Sequence, residues 1–254
     1  MWEQYHRQMR LFELQESLDE LLADVQSPNI LEAGCGSASS LRFKPGSRLV
    51  GIDTSQEQLD RNEMISEKIL GDLHTYDLSG RNFDAIICCF VLEHLDDPEK
   101  VVMNFVRGLS SRGVIVIVAP NLYSITGPIT KFTPLWVHVL VRRVLLADKR
   151  TGKAGVGPFP TPYRLAMTPR RLKLLAGRNG MKIHYFRMYE AFAVWSLRRR
   201  SKLVRIGCGM AQLMVKAVTL GKVDIMLGTY AVIMGKGSTT AEDVHGRHGR
   251  RRDG

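Results

Sequence analysis

The sequence lacks any long uncharged apolar run. No stretch of about 18 such residues occurs, so no membrane-spanning helix is expected. The nearest approach, residues 206–218, is interrupted by Lys216. Cysteine is scarce and badly spaced for a metal: Cys35, Cys88, Cys89 and Cys208. Two are adjacent, and neighbours on a strand point to opposite faces, so no metal site is expected. They read as reduced residues of a cytoplasmic protein. The opening MWEQYHRQMRLFELQESLDELL is charged throughout and does not read as a signal peptide. Aromatic residues are only 7%, too few to suggest a base-stacking surface for single strands. Acidic residues are nearly missing from the second half. Residues 1–127 carry a net −8 and residues 128–254 a net +19. The second half is therefore where an anionic partner would sit.

What is present is an ordinary globular composition, with 44% hydrophobic residues in 254 and no internal repeat. Residues 1–25 read as a helix with Leu11, Leu14, Leu18, Leu21 and Leu22 on one face. Residues 29–33 and 48–53 read as buried strands. Residues 55–70 read as a helix capped by Ser55, with 69–72 opening a third strand. Residues 83–89 form a further strand. Asp97-Pro98 starts a helix reaching about residue 109, and 114–118 (VIVIV) is another strand. Alternating helices and continuous apolar strands predict an α/β fold, a parallel sheet covered on both faces. Beyond it, 135–146 reads as a helix and 148–162 as a Gly/Pro-rich loop. Thr168-Pro169 caps a helix ended by Asn179-Gly180. Then follow a strand at 181–187, a mostly helical 190–220, a strand at 228–234 and a basic disordered tail at 237–254.

The chemistry concentrates at the ends of the first strands. Glu32-Ala33-Gly34-Cys35-Gly36 is a glycine turn where a ligand can approach the backbone. Asp53 ends the second strand, where a carboxylate can accept both hydroxyls of a ribose. Asp72 ends the third, within reach of an adenine amino group. The plain alternative is a tight turn with two surface caps. A nicotinamide enzyme would show Gly-x-Gly-x-x-Gly, but its third glycine is Ser39 here. Glu32 also suits a cationic ligand better than a diphosphate.

ILEAGCGSAS, VGIDTS and GDLHTYDL, with FDAIICCFVLEHLDDPEKVVMNFVRGLSSRGVIVIVAPN, resemble the motifs of the class I S-adenosylmethionine-dependent methyltransferases. The last block is similar to the group that includes ubiquinone and menaquinone biosynthesis methyltransferases. The resemblance covers residues 28–120 well and 165–187 and 228–236 loosely. It departs at Ser37-Ala38 and Ser110-Ser111-Arg112-Gly113. It implies a Rossmann-like doubly wound seven-stranded sheet with the last strand antiparallel. The domain would span 1–236, with a helical substrate lid from 122–165 and 190–222.

By the same resemblance, Gly34, Cys35 and Gly36 line the methionine end of S-adenosyl-L-methionine, and Glu32 orients its ammonium. Asp53 holds the ribose, Asp72 with Leu73 the adenine, and Phe90 flanks the methionine part. His94, beside Glu93 at the pocket rim, is the candidate base. The alternative is that both merely shape the turn before Asp97.

The implied reaction is methyl transfer to a small or lipid-like acceptor, with hydroxyl oxygen favoured. The Asn/Asp-Pro-Pro-Tyr/Phe signature of base-methylating enzymes is absent after the fourth strand, where Cys89-Phe90-Val91-Leu92 stand. Nucleic acid is therefore the lesser expectation. An RNA methyltransferase and a catalytically silent membrane-associated binding protein are the alternatives. Trp136 with Arg142 and Arg143, and Trp195 with Arg198, Arg199 and Arg200, give an interfacial flavour. That raises a peripheral contact with the cytoplasmic face of an anionic membrane as a further expectation.

Overall fold

Runs of Val, Ile and Leu pair into one sheet of seven strands, ordered β3-β2-β1-β4-β5-β7-β6. This is seen in a computed structural model, which describes residues 11–39, 41–121, 123–124 and 168–236. The strands are β1 (Asn29–Ala33), β2 (Arg48–Asp53), β3 (Glu67–Leu70), β4 (Phe83–Cys89), β5 (Leu109–Pro120), β6 (Met181–Glu190) and β7 (Leu227–Lys236). Strands β1 to β5 run parallel, and β7 is antiparallel to both β5 and β6. The Rossmann-like arrangement and the antiparallel last strand stand as expected. Ala33 pairs with Ile52, and Glu32 with Ile87, so the C-terminal ends of β1, β2 and β4 open on one edge. Ligands of open α/β sheets bind at such an edge.

Each face of the sheet carries its own apolar cluster. On one, α1 (Leu11–Leu21) brings Leu14 and Leu18, both essentially buried, against Ile30, Ile87 and Val116. On the other, α3 (Pro98–Gly108) and α4 (Pro169–Arg178) bring Val101, Phe105, Leu172 and Leu175 against Ile86, Ile115 and Val232. Both helices begin as their sequences predict. The Asp97 side chain accepts from the Lys100 N–H at 3.0 Å, and Thr168 accepts from the Arg171 N–H at 3.3 Å. In each, proline occupies the first turn, where its missing N–H costs nothing.

The helix expected over 55–70 is in fact α2 (Gln56–Arg61), six residues long. Leu59 packs inward, but Asn62, fully buried, ends the helix. The chain then runs through buried Ile65 into β3. The remainder of the expected helix is instead a turn and the edge strand β3. The helical 190–220 segment is two helices, α5 (Phe192–Arg200) and α6 (Lys202–Val218), broken at Ser201. Trp195 is buried in the cluster shared with α1, under the Arg199 guanidinium, and so is an anchor of α5 rather than an interfacial residue. Between β1 and β2 the described residues contain no helix. The expected helix at 135–146, the loop at 148–162 and the tail at 237–254 lie outside the described residues, as does nearly all of the 122–165 part of the lid.

Candidate cofactor site

The chain leaves β1 through Gly34 and Gly36, both in the left-handed region at φ +67° and +51°. The Gly34 and Cys35 N–H groups donate to the Ile52 carbonyl at 2.8 and 3.2 Å, which folds the turn back over β2. A Cβ on Gly34 would lie 2.4 Å from Val91 Cγ2, so glycine is required there by the protein's own packing. At Gly36 a Cβ would meet nothing within 4 Å, so this side of the turn is open. Cys35 lies differently from the expectation that it lines the pocket. Its side chain is buried over Gly51, where a Cβ would come within 2.7 Å of Sγ. Burial, helped by the nearby Asp53 and Glu32 carboxylates, pushes the thiol up to about 12. Only the Cys35 backbone can serve a ligand.

Asp53 is tied to this turn. One carboxylate oxygen accepts the Gly36 N–H at 2.9 Å, and the other accepts the Ser55 N–H at 2.9 Å. Each oxygen has a second lone pair for a further donor. Asn62 fixes the turn from beneath. Its amide nitrogen donates to the Cys35 and Gly36 carbonyls at 3.3 and 3.2 Å, while its oxygen accepts the Met64 N–H. The buried Glu32 carboxylate accepts a hydrogen bond from the Ser39 hydroxyl.

Asp72 follows β3 on the same edge and is half-exposed. It accepts the His74 N–H at 2.8 Å and His74 Nδ1 at 2.9 Å. These bonds hold its carboxyl below the usual range. The Asp97 N–H donates to His74 Nε2 at 3.2 Å, so that nitrogen accepts and the ring proton sits on Nδ1, towards Asp72. Leu73 is buried in the core, so its side chain does not face a ligand. Buried Asn104 staples this segment, donating to the Tyr76 carbonyl at 2.7 Å and the Leu73 carbonyl at 3.4 Å, and accepting from the Leu78 N–H.

Phe90 follows β4. It is 45% exposed and sits at φ +57°, a conformation that costs a non-glycine residue roughly 1 kcal/mol or more. Glu93 and His94 lie on the single 3-10 turn that comes next, Leu92–His94. Glu93 is buried, and its Oε2 finds no hydrogen-bond partner. Burial pushes its carboxyl up from the ordinary 4.5 to about 7. The same buried region raises the Cys88 thiol and the Tyr230 hydroxyl, chiefly by desolvation, with the Glu93 charge adding to both. His94 is only partly buried, and its N–H closes the turn on the Val91 carbonyl at 2.9 Å.

Sequence reasoning missed Asn62, His74 and Asn104. Asn104 left a signal, a polar residue on the core-facing side of a helix between Val101 and Phe105. Asn62 left none, because the carbonyls it serves lie 26 and 27 residues upstream.

The donor set fits S-adenosylmethionine. Glu32, Asp53 and Asp72 are three carboxylates at successive strand ends, suited to an ammonium, ribose hydroxyls and an amino group. They would repel a diphosphate. The open side of Gly36 leaves the backbone approachable.

The methyltransferase domain family matches residues 31–117, which span β1 to β5. Demethylmenaquinone methyltransferase of Thermotoga maritima is 29% identical over 44% of this chain and 54% of its own. The mitochondrial ubiquinone biosynthesis O-methyltransferase of Candida albicans is 31% identical over 41% of this chain and 35% of its own. The chain thus matches about half or less of these relatives' length. Among solved structures, the plantazolicin methyltransferase BpumL aligns with a TM-score of 0.52 at 15% identity, covering 93% of this chain and 88% of that one. Residues 31–117 thus match a methyltransferase domain, on a sheet of order 3-2-1-4-5-7-6 that the solved methyltransferase structure shares in fold.

Proposed function

We propose that the protein transfers a methyl group from S-adenosylmethionine to a hydroxyl oxygen of a small or lipid-like acceptor. The observation that carries this is the Gly34–Gly36 turn locked by Asp53 and Asn62 at the shared edge of β1 and β2. The cofactor supplies a methyl group on a cationic sulfur, already activated for displacement. The protein's part is to bind, orient and exclude water. Asp53 holds the ribose with its remaining lone pairs, and Glu32 orients the ammonium. Asp72, with the backbone of Leu73, takes the adenine. Phe90 covers the methionine end from β4. His94 accepts the proton of the acceptor hydroxyl. The two relatives, a demethylmenaquinone methyltransferase and a ubiquinone biosynthesis O-methyltransferase, support a small-molecule acceptor, and the second an oxygen.

Incubation with methyl-labelled cofactor and a lipid and quinone extract should move label into the organic phase. His94→Ala should lower the rate about a hundredfold while leaving the KM for the cofactor unchanged. Label entering RNA instead would favour an RNA methyltransferase. Cofactor binding with no transfer to any acceptor would favour a silent binding protein.

Phe90→Gly separates role from scaffold. Relief of the backbone strain, about 1 kcal/mol, is offset by the greater freedom of unfolded glycine. Stability should therefore change by less than about 1 kcal/mol in denaturant unfolding. Cofactor affinity should fall about tenfold by calorimetric titration, as expected for loss of an aromatic contact of about 1.4 kcal/mol. Equal affinity would remove Phe90 from the site.

A further inference from the structure

Helix α6 turns its apolar face outwards. Leu203 is 82% exposed, Leu213 71% and Val218 85%, with Ile206 and Met210 also exposed. At about 100° per residue these side chains fall on one half of the helix. Val204, Cys208, Ala211, Gln212 and Val215, on the opposite half, are the partly buried ones. A helix of a soluble domain ordinarily does the reverse. Lys202 and Arg205 are exposed along one flank of the apolar face, Lys216 lies on the same flank paired with Asp224 at 3.4 Å, and Lys222 follows the helix. Between Ala191 and Lys222 the sequence contains no acidic residue.

The position of the helix matters as much as its face. β6 ends at Glu190 opposite Leu227, and Thr229 pairs with Pro120 at the end of β5. The α5–α6 excursion therefore leaves and rejoins the sheet at the edge that carries Gly34, Asp53 and Phe90. Asn121 secures the return, donating from its side chain to the Leu227 carbonyl and from its backbone to that of Gly228, each at 2.8 Å.

We infer that α6 lies in the surface of an anionic bilayer, apolar face down and cation row on the lipid phosphates, so that the methyl-transfer edge works against the membrane. This deepens the proposed function by naming the source of a lipid-like acceptor, and only that link rests on it. Among the described residues no helix is long and apolar enough to cross a membrane, so α6 lies on the surface and does not span it. The exposed face is aliphatic, with no ring on which a nucleic acid base could stack. A second copy docked face to face would set two rows of like charge beside each other.

The test is cosedimentation of the full chain with vesicles of phosphatidylcholine alone or mixed equally with phosphatidylglycerol. Wild type should pellet with the anionic vesicles, weakly with neutral ones, and less as salt is raised. Leu203→Asp with Leu213→Asp should weaken anionic-vesicle binding more than tenfold, and Lys202→Ser with Arg205→Ser about tenfold. Cofactor affinity should be unchanged in both. Wild type left in the supernatant, or pelleting undiminished by the aspartates, overturns the inference. So does sedimentation velocity showing a dimer, lost in the aspartate variant, without vesicle binding. Neither cofactor nor acceptor is needed for the readout, so failure here and failure of methyl transfer are separate results.

Discussion

Asp53→Ala should weaken S-adenosylmethionine binding about a hundredfold in a calorimetric titration. The carboxylate already spends one lone pair on each oxygen to hold Gly36 and Ser55. The second lone pairs are the ones offered to the two ribose hydroxyls. A hydrogen bond to a charged acceptor contributes about 1.5 kcal/mol or more, and two together correspond to roughly a hundredfold. The turn also loses its anchor, so stability should fall by about 1–2 kcal/mol. Asp53→Asn keeps the shape and one acceptor oxygen, and should fall between wild type and alanine. If folded Asp53→Ala binds the cofactor as tightly as wild type, the ribose role is wrong.

Glu93→Gln should change the pH dependence of stability more than any other single replacement in the site. In the unfolded chain the carboxyl titrates near 4.5, and in the fold near 7. Between these values the folded state keeps a proton that the unfolded state has released, so stability falls as pH rises, by about 1.4 kcal/mol per pH unit. Below 4.5 the contribution is fully present. Above 7 about 3 kcal/mol has been lost, and a buried carboxylate lacks a partner for Oε2. Glutamine has no such titration. Relative to wild type it should gain about 3 kcal/mol between pH 4.5 and pH 8 in denaturant unfolding. The absolute offset depends on whether the new amide finds a partner, so the difference between the two pH values is the readout. An equal offset at both would mean that Glu93 titrates like an exposed carboxyl.

The strands around the site were the most legible part of the chain. β1, β2 and β4 have the bounds that their continuous apolar runs predict, because a parallel strand buried on both faces needs such a run. β3 was not legible. It is four residues long, alternates in burial and lies at the sheet edge, where Glu67 is held by Arg48 and Arg81. The helix expected over 55–70 stops at Arg61 because Asn62 turns inwards to bond the distant Cys35 and Gly36 carbonyls, which no local pattern announces. Trp195 looked interfacial from its neighbours in sequence, yet tertiary packing buries it. In the site, Gly34, Gly36 and Asp53 could be recognised from local pattern. Asn62 and Asn104 could not, since their function is to bond backbone from distant segments.

The last of the described strands in sequence is not the last in space. β7 is paired on both sides, with β5 and with β6, and Lys236 beyond its core donates to the Leu109 carbonyl at 2.9 Å. As a nascent chain leaves the ribosome, β1 to β5 can gather into a parallel half-sheet. β6 then emerges with no neighbour to receive it. The outer edge of β5 stays open until residues 227–236 are free, and an open apolar edge invites pairing with another chain. A stop codon just before Leu227 would therefore remove the keystone of the sheet and leave β6 without a partner strand, rather than trim a margin.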